Sequence, residues 1–226
     1  YCKQAIKTGE TMVCNSLKEC IEKTHHISPE NENKKHSRGK KSQKYNKKPT
    51  DEYKTSLSQA PCNDLGQQKK CIDFLDCRSK ATCSENGKSY TLDQSNEYPK
   101  HEIIKLHMDG GAIIDQDGTN GNKCDYVVWV KEKNASKRKT AILIELKGVS
   151  VQHAIKQLMA TIKQPEFRDE WTSCDRMFGR VVCTSVPRAM TNDARIEAMK
   201  EFFNRGGNLV IKEQSYEEEY KNLADK

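Results

Sequence analysis

The sequence predicts an α/β protein: a mixed β-sheet flanked by helices, preceded by a basic, cysteine-rich N-terminal extension. Three observations carry that prediction. Beyond about residue 100 the chain alternates short β-branched and aromatic runs with two segments of helical periodicity. Before that point it is polar, rich in Lys, Asn, Ser and Cys, with only short periodic stretches. The 226 residues are 35% hydrophobic and 31% charged with a mean hydropathy of -0.91, too polar for dense packing along the whole length. The expected division is an N-terminal region, 1–98, and an α/β domain, 99–226.

Taken in order, Ser16 to Lys23 and Lys69 to Asp76 each predict a short helix, since Leu17, Cys20 and Ile21, and then Cys71, Phe74 and Leu75, recur at helical spacing. Glu102 to Asp109 predicts an extended segment, Gly110-Gly111 a turn, and Ala112 to Asp115 another strand. Asp117 to Asn122 is a loop by composition. Asp125 to Val130 and Thr140 to Lys147 form a hairpin around the charged, solvated loop Lys131 to Lys139. After the N-cap Ser150, apolar residues at 151, 155, 158, 159 and 162 mark one face of a helix that Pro165 stops. Phe178 to Val186 is a further strand, and Asn192 to Asn204 an amphipathic helix ended by Gly206-Gly207. Asn208 to Lys212 is the last strand, and the acidic tail from Tyr216 is helical by propensity. Trp129 and Phe178 read as core, and Cys124, Cys174 and Cys183 as small residues in or near it.

Charge is unevenly placed. Residues 1–50 hold 12 Lys and Arg against 5 Asp and Glu, so the whole net charge of +7 sits there. The densest run supplies Lys34, Lys35, Arg38, Lys40, Lys41, Lys44, Lys47 and Lys48, which is either a polyanion-binding arm or a solvated segment. No apolar stretch approaches the roughly 18 residues of a membrane span, so a helical membrane protein is excluded and no membrane partner is expected. The first twenty residues carry Lys3, Lys7, Glu10, Lys18 and Glu19 and no apolar h-region, which sets a cytoplasmic expectation with reduced thiols. The start at Tyr1 leaves room for an upstream piece. Seven of the ten cysteines precede residue 90. Their spacings, Cys14-x5-Cys20-x4-His25-His26 and Cys62-x8-Cys71-x5-Cys77-x5-Cys83, lack the close pairs of common zinc modules, so structural Zn²⁺ stands as an alternative to free or paired thiols.

The chemistry-bearing pattern is Ile144-Glu145-Leu146-Lys147-Gly148. In a strand, residues at i and i+2 share a face, so Glu145 and Lys147 project together. A charge that ends an apolar strand needs a counter-charge or a metal. If the hairpin closes about Lys131 to Lys139, Asp125 comes to the same sheet edge. Two carboxylates there suit a hard divalent cation such as Mg²⁺, which keeps open positions for water and phosphate. A neighbouring lysine can orient a water and balance charge on phosphorus, which fits phosphodiester hydrolysis. The plain alternative is a salt-bridged strand end.

Asp125, the Glu145-x-Lys147 strand and a following helix with Ala154-x-x-Gln157 together resemble the PD-(D/E)XK nuclease superfamily, over about residues 100 to 213. The resemblance implies a restriction endonuclease-like fold and a Mg²⁺- or Mn²⁺-dependent nuclease. Asp125 and Glu145 become the metal ligands, with the Leu146 carbonyl a third, Lys147 the catalytic lysine, and Gln157 the polar helix residue facing the site. Cys124 stands where the superfamily name has Pro. Asp109 is a further acidic candidate, and His153, one turn before Gln157, another; the alternatives are a solvent-facing Gln157 and a surface histidine. The partner expected is nucleic acid, DNA first, with the basic arm on the phosphate backbone. Defence against foreign DNA, or a toxin released from a longer polypeptide, is the role such a resemblance implies, acting as a homodimer or within a larger defence complex. Two rival classes remain: a non-catalytic nucleic-acid-binding or assembly module that keeps the fold, and a zinc-dependent recognition domain in the N-terminal half.

Overall fold

A computed structural model describes residues 11–13, 72–109, 113–115, 123–134, 136–164, 167–186 and 193–224. The helix expected at Ser16 to Lys23, the basic run from Lys34 to Lys48, and Cys2, Cys14, Cys20, Cys62 and Cys71 lie outside them.

In chain order the described elements are strands β1 (Thr11–Val13), β2 (Ile72–Asp76), β3 (Lys80–Glu85), β4 (Lys88–Asp93), β5 (Glu102–His107), β6 (Ile113–Asp115), β7 (Tyr126–Lys131) and β8 (Lys139–Lys147), then helices α1 (Val151–Ile162) and α2 (Arg168–Thr172). They continue with β9 (Arg176–Cys183), α3 (Asp193–Asn204), β10 (Leu209–Glu213), β11 (Ser215–Glu219) and α4 (Lys221–Ala224). Six strands form the central sheet in the order β10-β9-β8-β7-β5-β2. β7 and β8 are antiparallel, with Tyr126 opposite Ile144 and Lys131 opposite Lys139. β8 and β9 are parallel, with α1 between them in sequence, and so are β9 and β10, with α3 between them. Such parallel pairs require a crossover, which the helices supply.

β8 is buried from Thr140 to Leu146, because both faces of the sheet are covered. Ala141 and Leu143 join Val127, Met177 and Val181 on one face, under Ala154, Leu158 and Ile162 of α1, Trp171 of α2, Phe167 and Phe202 of α3. Ile142, Ile144 and Leu146 join Val128, Val130, Phe178 and Val182 on the other, under Ala81, Cys83, Tyr90, Leu92, Tyr220 and Leu223. The second face is therefore covered by a three-stranded sheet, β11-β4-β3, rather than by helices. The expected α/β class with a mixed sheet holds, and the layering is helices, sheet, sheet. β1 and β6 form a separate antiparallel pair.

Three local expectations are corrected. Ile72–Asp76, expected within a helix, is a strand that pairs with β5. Ile72, Phe74 and Leu75 fit a short strand as well as a helical turn, and the free edge of β5 takes the segment. The β3–β4 hairpin went unpredicted; Asn86 (φ 50°) and Gly87 (φ 73°) are both left-handed, as a two-residue primed turn requires. The tail is a strand too: β11 runs parallel to β4. Alternate residues Tyr216, Glu218 and Tyr220 turn inward, and Arg180 Nε donates to Glu218 Oε1 at 2.6 Å while Tyr90 Oη donates to the same oxygen at 2.8 Å. That buried pairing outweighs the weak helix preference of the glutamates. Residues 81–92 thus pack on the same core as the later strands, and β2 extends the central sheet through its pairing with β5. Among the described residues no helix is long and apolar enough to cross a membrane.

Candidate active site

The β7–β8 register sets Asp125 and Glu145 side by side where β7 begins and β8 ends. Each carboxylate accepts a backbone N–H beside the other: Asp125 N–H donates to Glu145 Oε2 at 3.2 Å, and Leu146 N–H donates to Asp125 Oδ2 at 2.7 Å. Two residues on, Lys147 Nζ lies 3.4 Å from Glu145 Oε1 and donates to Gln157 Oε1 at 2.8 Å. Gln157 is in turn fixed from behind, since its Nε2 donates to the Lys123 carbonyl at 3.0 Å. One turn further along α1, Thr161 Oγ1 accepts the Cys124 N–H at 2.7 Å and donates to the Gln157 carbonyl. The helix therefore holds both the lysine and the segment that leads into Asp125. Lys123 Nζ extends the network to Asp109, 3.5 Å away.

Glu145 is only 1% exposed, whereas Lys147 and Asp125 are half-buried, so the cluster opens to solvent on the side of the lysine and of Asp125. Burial raises the Glu145 pKa far above the ordinary carboxylate range, the Asp125 charge raises it further, and Lys147 opposes both. Asp125 is pushed the same way by burial, with its hydrogen bond from Leu146 and the Lys147 charge pulling down and the Glu85 and Asp109 charges adding to the rise. Two carboxylates whose ionisation is suppressed by burial and by neighbouring acids are poised to gain from a nearby cation. Burial also raises the Cys124 thiol well above its usual range, which keeps it protonated and inert.

Asp125, Glu145, Leu146, Lys147 and Gln157 are brought together as expected, and Gln157 is buried rather than solvent-facing. Asp109 joins through Lys123. His153 is exposed; its backbone N–H bonds the Ser150 hydroxyl at the helix N-cap, and its side chain enters none of the hydrogen bonds above. The basic residues Lys34 to Lys48, and the ligands Cys62 and Cys71 of the Zn²⁺ alternative, lie outside the described residues, while Cys83 is fully buried between the two sheets. Sequence reasoning missed Lys123, Thr161 and Glu85. Thr161 sits four residues after Gln157 and was legible from helical spacing; a buried loop lysine and a hairpin-tip glutamate carry no such signal.

Glu145 Oε1 is buried and makes no hydrogen bond, its one charged neighbour being the Lys147 ammonium at 3.4 Å, a state for a carboxylate oxygen that a hard cation would relieve. The residues fit such an ion: Asp125 and Glu145 would hold it, with the Leu146 carbonyl a further oxygen. Among the described residues no group of three or more His, Cys, Asp or Glu side chains is placed to hold a metal. Any ion here relies on two carboxylates and draws its other ligands from carbonyl, water or substrate, as Mg²⁺ commonly does. No protein-family model, curated protein or solved structure matches the chain.

Proposed function

We propose that the chain is a divalent-metal-dependent nuclease of the restriction endonuclease-like class, with Asp125, Glu145 and Lys147 as its centre and DNA as the first substrate to test. The observation that carries this reading is the reciprocal clamp of the Asp125 and Glu145 carboxylates, with Lys147 held beside them by a buried glutamine. A bound Mg²⁺ or Mn²⁺ would supply Lewis acidity toward a phosphate oxygen and a more acidic water. Asp125 and Glu145 hold the negative field that attracts the ion. Lys147, anchored at Gln157 Oε1 and close to Glu145, presents an ammonium that can orient a water toward phosphorus and offset the charge growing on its oxygens. Gln157 and Thr161 fix that ammonium and the Lys123–Cys124 backbone leading into Asp125 relative to each other, so the geometry is set before substrate arrives.

The test is incubation of the chain with linear duplex, supercoiled and single-stranded DNA and with RNA, each with Mg²⁺, Mn²⁺ or EDTA. Glu145→Ala and Lys147→Ala are run alongside. Metal-dependent cutting lost in both variants supports the proposal and names the substrate class. Binding without cutting on every substrate moves the reading to the non-catalytic module, in which the Lys147–Gln157–Lys123 chain serves only to lock the fold.

A further inference from the structure

At the end of the sheet opposite the carboxylates, the loop joining β7 to β8 carries Lys131, Lys133, Lys137, Arg138 and Lys139, all exposed. Its single acid, Glu132, is 4% exposed and turned inward, where Oε1 accepts from Arg176 Nη2 at 3.0 Å and from Tyr220 Oη at 2.9 Å. Ser136 Oγ donates to Glu132 Oε2 and Lys137 N–H donates to the Asn134 carbonyl at 3.2 Å, while Glu132 N–H closes the loop on the Arg138 carbonyl at 2.8 Å. The described residues of the loop are thus tied to one another, with the acid withdrawn and the cations outward. Among the described residues none of the five cations forms a side-chain ion pair; the exposed Asp175 carboxylate takes the Lys139 backbone N–H at 2.7 Å. A second feature lies at the same end. Lys133 N–H donates to His101 Nδ1 at 3.3 Å, which ties the loop to the segment before β5, and three residues earlier in that segment Tyr98 is 97% exposed. Glu97 is engaged by His101 at 3.5 Å.

We infer that this end of the sheet is a second nucleic-acid contact: the five loop cations take successive phosphates and Tyr98 stacks on an unpaired base. A loop whose backbone is already tied leaves only side-chain freedom to lose on binding, and an exposed aromatic beside a row of cations is the pairing that single strands use. An anionic membrane fits less well, because the loop from Lys131 to Lys139 has no large apolar side chain to insert. The inference rests on the nucleic-acid partner of the proposed function but not on the catalytic residues. Asp125 and Lys131 are six residues apart along an extended strand, about 20 Å, so the contact reaches about six nucleotides from the carboxylates.

The experiment measures binding of a fluorescent 25-nucleotide single strand and the matching duplex to the full chain in EDTA, across a salt series, so that cleavage plays no part. Lys133→Glu/Lys137→Glu/Arg138→Glu is compared with a control of equal charge change at the exposed Lys163, Lys200 and Lys212. The loop variant is expected to bind at least tenfold more weakly, with the slope of log K against log salt reduced by about 2 to 3. Tyr98→Ala is expected to weaken single-strand binding about tenfold and leave the duplex unchanged, with Tyr98→Phe restoring it. Equal losses in loop and control variants, an unchanged salt slope, or binding of the loop to anionic vesicles in preference to both nucleic acids would overturn the inference. Loss of cleavage in Lys147→Ala with these binding results intact, or the reverse, separates the fate of this surface from that of the catalytic site.

Discussion

Replacing Glu145 by Gln is expected to stabilise the metal-free protein while abolishing cleavage. The side chain is 1% exposed; Oε2 accepts the Asp125 N–H at 3.2 Å, and Oε1 has no hydrogen-bond donor. Burial first, and the Asp125 charge second, raise its pKa well above that of an unfolded chain. A carboxylate raised in this way costs nothing below the ordinary range near pH 4; the cost grows as pH climbs toward the folded value and is complete above it. Each unit of rise corresponds to about 1.4 kcal/mol. The amide keeps the shape and the acceptor for Asp125 N–H and drops the charge, while Lys147 loses an ion pair but keeps Gln157 and some solvent. The net gain at pH 8 is expected to be about 2 kcal/mol, or about 4–8 °C in Tm for a domain of this size. Melts in EDTA at pH 8 and pH 4 read it directly: the gain appears at pH 8 and shrinks at pH 4. Saturating Mg²⁺ closes the gap because only the parent carries both carboxylates. A Glu145→Gln variant less stable than the parent at pH 8 in EDTA would refute the reasoning.

Further outcomes follow from the packing. An alanine at Gly179 would place its Cβ 2.5 Å from Phe202 Cε2 and 2.9 Å from Leu209 Cδ1, so Gly179→Ala is expected to lose about 1–3 kcal/mol in urea unfolding. Arg180→Ala leaves Glu218 a buried, unpaired charge and is expected to cost about 3–5 kcal/mol, whereas the double variant Arg180→Met/Glu218→Leu recovers most of it. Gln157→Ala frees both Lys147 and the Lys123 carbonyl, and is expected to lower kcat with little change in substrate binding, read by single-turnover and filter-binding assays.

How much of this was legible follows from the kind of signal each element carries. β7, β8 and α1 announce themselves through uninterrupted β-branched runs and a clean helical face, and they alone place Asp125, Glu145, Lys147 and Gln157. The β3–β4 hairpin was legible too, through Asn86-Gly87, but its strands are polar on one side and lie in a region whose composition is polar throughout. The tail was misjudged because three consecutive glutamates favour helix locally, while the partner that makes Glu218 a buried strand residue, Arg180, is 38 residues away. The stretch that follows the helix-stopping Pro165 carried no periodic signal, yet it sends Phe167 and Trp171 into the core, where they stack 5.5 Å apart and Trp171 Nε1 donates to the Thr161 carbonyl. α3 shows Ala198 and Phe202 to the core but leaves Ile196, Met199 and Phe203 exposed, so an apolar residue at helical spacing was only half a guide to burial.

The central claim is that Asp125, Glu145 and Lys147 form one metal-dependent hydrolytic centre. Mn²⁺ binding and single-turnover cleavage measured together on the parent, Glu145→Gln and Lys147→Gln test it most directly. The parent is expected to bind Mn²⁺ and cut, Glu145→Gln to lose both, and Lys147→Gln to keep the ion and lose cleavage by at least a hundredfold. Cleavage that survives in either variant, or Mn²⁺ affinity that is unchanged in Glu145→Gln, would contradict it.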